Sequence, residues 1–143
     1  MSPYEFTNVL VALDGSDGSH RALDCALSIC ATLGARLTAL AVEGKLPAYA
    51  ASLGEVDEVK REKDEFFSRL LADAERAAGE RGVVLRTELL PGHEAEVITH
   101  YARAHDHDLI VIGHRGHFLE DVLLGSMADR VAHHAHCPVM VVR

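Results

Sequence analysis

A chain of 143 residues, 48% of them hydrophobic, is long enough for one domain with its own core, burying roughly two-thirds of the surface its unfolded form exposes. A formal net charge of −8 excludes a sequence-independent grip on nucleic acid, which needs Lys and Arg spread along a phosphate track. No apolar stretch approaches the ~20 residues of a membrane span, and MSPYEFTNV lacks a basic region followed by an apolar run, so a cytoplasmic protein is expected.

Residues 7–13, TNVLVAL, are apolar and β-rich and stop at the polar turn Asp14-Gly15-Ser16, which predicts a first strand. Ala22, Leu23, Ala26, Ile29, Cys30 and Leu33 then follow one helical stripe, capped at Ser16 or Asp17 and ended by Gly34. Residues 37–42, LTALAV, form a second strand, and the β-α-β unit so completed requires parallel pairing. Residues 44–54 hold Pro47 and two glycines and suggest a mobile loop. From Glu55 to Arg81 a stripe of Val56, Val59, Phe66, Phe67, Leu70, Leu71, Ala74 and Ala78 runs through dense charge, so a long amphipathic helix is expected. A third strand over 83–89, broken by Pro91-Gly92, leads to a short helix over 93–105 with Ala95, Val97, Ile98, Tyr101 and Ala102 inward.

Leu109 to Ile112 form a short apolar run suited to a strand buried on both faces. It is bounded by Gly113 and Gly116, and Gly125-Ser126 opens a helix carrying Ala128, Val131, Ala132 and Ala135, with Ser126 and Asp129 at capping-box spacing. Glycines let main chain approach a ligand, and the unpaired N–H groups of a helix start favour an anion, so the segment has the form of a phosphate cradle. A last strand spans 139–142. Alternation of strands and helices predicts a single domain over 1–143, an α/β fold with an open, doubly wound, five-stranded parallel sheet and helices on both faces. In such sheets ligands lie beyond the C-terminal strand ends where the winding reverses, which points to Asp14 and Gly113 together.

The remaining motifs carry less. Cys25, Cys30 and Cys137 include no C-x-x-C spacing and are expected to be buried, reduced thiols. His133, His134, His136 and Cys137 lack the spacing that converges on one ion, and His114 and His117 read as polar loop residues. A phosphoacceptor regulator would need an acid at the third strand end and a Lys at the last, where Glu88-Leu89 and Val142-Arg143 stand. Few aromatic residues are available for a flavin, and no catalytic set is legible, so at most slow ATP hydrolysis is expected.

Through residues 9–23, VLVALDGSDGSHRAL, and 113–143, GHRGHFLEDVLLGSMADRVAHHAHCPVMVVR, the chain resembles the universal stress protein family, and within it the ATP-binding branch marked by G-x-x-G, a spacer and G-S or G-T. The resemblance implies that Gly113, Gly116, Gly125 and Ser126 surround the ribose and phosphates of ATP, with His114, Arg115 and Met127 alongside. It also implies that Ala12, Leu13 and Asp14 lie beside the nucleotide and that Val42 touches adenine, although Asp14 also suits a turn carboxylate that caps the first helix. The spacer 117–124 is one residue shorter than the family spacing. Mg²⁺ would ride on the phosphates. Further implications are a homodimer through strand 139–142 and a nucleotide-dependent switch or sensor in which binding orders 44–54 and 116–125. The other family role is a scaffold that binds no nucleotide and acts through protein contacts.

Overall fold

The computed structural model describes residues 5–44, 53–114 and 126–143. Strands β1 (Asn8–Leu13), β2 (Arg36–Glu43), β3 (Leu85–Pro91), β4 (Leu109–Gly113) and β5 (Val139–Val142) form one parallel sheet in the order β3-β2-β1-β4-β5. Helices α1 (Asp17–Leu33), α2 (Leu53–Glu80), α3 (Glu94–Ala104) and α4 (Ser126–His134) connect them. The chain winds outward from β1 to β3, then crosses back to lay β4 against the other side of β1. The winding therefore reverses between β1 and β4, as the sequence predicts.

Alternation along the central strands divides the core into two layers. Val9, Val11, Leu37, Ala39, Leu109 and Val111 face α1 and α2, where they meet Leu23, Leu27, Phe67, Leu70 and Ala74. Leu10, Ala12, Leu40, Ile110 and Ile112 face α3 and α4, where they meet Ile98, Tyr101, Ala128 and Val131. Burial on both faces explains why these strands are apolar runs rather than alternating ones. No described helix is long and apolar enough to cross a membrane.

Five local expectations shift. The third strand starts two residues late, because Val83 caps α2 through its N–H to the Ala78 carbonyl (3.0 Å). It then runs through Pro91, which an edge strand tolerates; Gly92 N–H supplies the next bond, to Glu43 O (3.0 Å). Helix α2 begins at Leu53, inside the stretch expected to be loop, and residues 45–52 lie outside the described residues. Phe66 leaves the buried stripe and is 47% exposed. Cys30 is buried as expected, but Cys25 and Cys137 are only half-buried.

Among the described residues two histidines are buried: His114, expected as a polar loop residue, and His107 at 3% exposure. His107 Nε2 lies 3.2 Å from Thr38 Oγ1. Burial, then the nearby His105, pushes the imidazole down to about 4, against smaller upward pulls from the Ala102 carbonyl and Asp108. The folded state therefore holds His107 neutral, while the unfolded chain protonates it near the ordinary value of 6.5. The unfolded chain thus binds more protons between these values, and stability is lost as pH falls from about 6.5 to 4, by up to about 3 kcal/mol from this group. Urea unfolding across pH 4–7 should show that loss, and His107→Gln, though less stable throughout, should show a smaller slope. An unchanged slope would contradict the assignment.

Candidate functional site

The end of β1 is shaped by a short hydrogen-bonded turn. Asp14 Oδ1 accepts from Ser16 N–H (2.9 Å), the turn-carboxylate role open in the sequence. Ser16 is the N-cap of α1, its Oγ accepting from Ser19 N–H (3.1 Å), while Ser19 Oγ donates to Ser16 O (3.0 Å). Gly15 between them has φ +85° and lies under the Phe66 ring, so a Cβ there would be both strained and blocked. Phe66 is exposed because it roofs this turn.

The end of β4 is shaped by contact with the same helix. A Cβ on Gly113 would run into the main chain of Gly18 and Ser19, and a Cβ on Gly18 would sit 2.7 Å from the His114 carbonyl oxygen. The first turn of α1 therefore rests on the β4 end backbone to backbone. His114, buried beside it, donates its N–H to Val142 O (2.7 Å). Gly113 is thus required for packing, a demand the sequence pattern attributes to a ligand.

Between these ends lies a crevice lined by Ala12, Leu13, Asp14, Ser16, Ser19, Leu40, Val42, Glu94, Ile98, Gly113 and Met127. Its apolar wall is Leu40, Val42 and Ile98, and its polar wall is Asp14, Ser16 and Ser19. Three helix starts reach it: Ser16 caps α1, Glu94 opens α3 and Met127 is the second residue of α4. The N-cap of α3, His93, makes no side-chain hydrogen bond to the helix start, and Glu94 and Glu96 stand in its first turn. The crevice is tight. Its cavity volume is about 20 Å³, room for about one water.

Six expected site residues, Ala12, Leu13, Asp14, Val42, Gly113 and Met127, meet in this crevice. His114 does not line it and instead packs under α1. Arg115, Gly116 and Gly125 lie outside the described residues, as does the spacer 117–124, and Ser126 opens α4. Ser16, Ser19, Leu40, Glu94 and Ile98 join the site unanticipated. Leu40 was legible, being two residues before Val42 on the same strand face, and Ile98 follows Glu94 by one helical turn. Among the described residues no group of three or more His, Cys, Asp or Glu side chains is placed to hold a metal ion.

The sequence profile of the universal stress protein family matches residues 5–143. The chain belongs to the universal stress protein family. It is 33% identical to universal stress protein YxiE of Bacillus subtilis, the match covering 96% of this chain and 99% of the relative. Among solved structures, universal stress protein UspA from Lactobacillus plantarum superposes with a TM-score of 0.85 at 29% identity, covering 97% of this chain and 99% of the other. A universal stress protein family protein from Arabidopsis thaliana, solved with AMP bound, superposes with a TM-score of 0.74 at 22% identity, covering 95% of this chain and 90% of the other; that likeness is one of fold.

The two roles of Gly113 separate experimentally. Gly113→Ala should cost at least about 1–3 kcal/mol by denaturant unfolding without any ligand, because α1 must lift from β4 to admit the methyl group. Wild-type stability would contradict the packing role.

Proposed function

We propose that this universal stress protein binds an adenine nucleotide, ATP with Mg²⁺ carried on its phosphates, and acts in the cytoplasm as a nucleotide-dependent switch or sensor of the stress response. The observation that carries the reading is the convergence of an apolar wall, a turn carboxylate and three helix starts at the β1/β4 winding reversal. The chemistry of this lining suits the ligand. Leu40, Val42 and Ile98 offer a surface for a purine face, and Asp14 stands where ribose hydroxyls can donate to a carboxylate. A helix start favours phosphate by roughly 0.3–1 kcal/mol where exposed, and by less where Asp17, Glu94, Glu96 or Asp129 stands in the first turn. Gly116, Gly125, Ser126 and Arg115 supply the rest of the phosphate cradle on the sequence pattern. The AMP bound to the Arabidopsis relative supports the class of ligand.

With a cavity of about 20 Å³, entry of a nucleotide is expected to move part of the crevice wall. Coupling of entry to movement is what a switch requires. The same tightness favours the second reading, a scaffold without nucleotide. Calorimetry and thermal shift with ATP, ADP and AMP plus Mg²⁺ separate the two. Saturable heat and a raised Tm, both lost in Gly125→Val, are expected. No heat and no shift at millimolar nucleotide would leave the scaffold.

A homodimer through β5 accompanies this reading. Strand β5 is a sheet edge paired only with β4, and it leaves Met140 37% exposed. Light scattering should give twice the chain mass for the wild type and one chain mass for Met140→Lys. A dimeric Met140→Lys would move the interface elsewhere.

A further inference from the structure

The end of the sheet opposite the crevice carries a second concavity. Asn8 opens β1, Arg36 opens β2, Leu85 opens β3, and His107 precedes β4; together with Tyr101 and His105 at the close of α3 they bound about 240 Å³ of space. This is far roomier than the crevice, yet below the ~300 Å³ at which pockets for drug-sized ligands begin. Its occupant is therefore small.

The lining has two characters. Tyr101 and His107 are each more than nine-tenths buried, with ring centroids 5.7 Å apart, and Tyr101 stacks on His105 at 4.1 Å. These rings and the 70% exposed Val84 are the apolar part of a lining that also carries Asn8, Arg36, Thr38 and Arg86. Its cations are not equivalent. Arg86 is engaged, its Nε and Nη2 each 3.1 Å from Glu88 Oε1. Arg36 is exposed and, among the described residues, has no carboxylate within ion-pair distance. The nearby Asp108 does not line the space, and its carboxylate accepts from Thr7 and Asn8 at 2.9–3.2 Å. Arg36 thus stands as an unpaired cation beside the stacked Tyr101 and His105 rings.

We propose that this hollow between the starts of β2 and β3 and the end of α3 is a second ligand site, taking a small organic carboxylate. The carboxylate meets the Arg36 guanidinium in the planar, two-oxygen manner that arginine favours. The apolar body lies against Val84 and the Tyr101 and His105 rings. Inorganic phosphate would satisfy Arg36 but leave that wall without a partner, so the apolar body is part of the recognition. The site is independent of the nucleotide proposal.

Titration of the nucleotide-free chain with benzoate, followed by backbone amide NMR, tests it. Saturable shifts are expected at residues 36–38, 84–86 and 105–107. Binding should weaken at least tenfold with benzyl alcohol in place of benzoate, and at least tenfold in Arg36→Ala, whose exposed position leaves the fold intact. Val84→Asp, at another exposed position, should weaken it by repulsion. Shifts absent at tens of millimolar benzoate, shifts confined to the crevice residues 12–19, equal binding of benzyl alcohol or phosphate, or unchanged binding in both variants would overturn the proposal.

Discussion

The contact on which the molecule turns is the seating of the first turn of α1 on the end of β4. Gly18 and Gly113 meet there without side chains between them, and the His114 carbonyl closes the contact. Because α1 follows β1 directly, this contact fixes how the ends of β1 and β4 stand relative to each other at the one place where the sheet changes winding direction. The Asp14–Ser16 turn, held by its own hydrogen bonds and roofed by Phe66, then has one orientation, facing the apolar ends of β2 and α3. The crevice so formed sets a polar wall against an apolar one around a small cavity.

The two ends of the sheet differ in a way that follows from its construction. Parallel strands joined by helices send every helix start to the same end, so the C-terminal strand ends collect positive helix poles, capping side chains and turns. The opposite end collects helix closes, with their negative poles, and strand starts, where Arg36, Arg86 and the stacked rings stand. Strands β1 and β2 and helix α3 each contribute residues to both hollows, with Ile98 and Glu94 at one end of α3 and Tyr101 and His105 at the other.

Much of this was legible in the sequence because the strong signals are periodic. Central strands buried on two faces must be uninterrupted apolar runs, and 9–13, 37–42 and 109–112 cannot be mistaken for amphipathic helices. The winding reversal followed from their order. What was not legible depended on partners far along the chain. Phe66 sits on the apolar stripe of α2, yet its ring is used over Gly15, fifty-one positions earlier. Gly113 looked like a ligand glycine because a pattern does not reveal that Gly18 fills the space beside it. His114 looked like a loop histidine, and nothing marked His107 as buried, because burial of a polar ring needs a distant partner, here Thr38 for His107. Pro91 appeared to break β3, a rule that weakens at a sheet edge whose outer donors need no neighbour.

The central claim is that the crevice at the β1/β4 reversal receives an adenine nucleotide. Structure determination of the chain grown with Mg²⁺ and ATP tests it most directly. The account predicts a purine against Val42 and Leu40, ribose beside Asp14, phosphates at the start of α4, and crevice walls farther apart than in the free chain. A crevice of unchanged width with no ligand density, under conditions where ATP saturates a related nucleotide-binding protein, would contradict it.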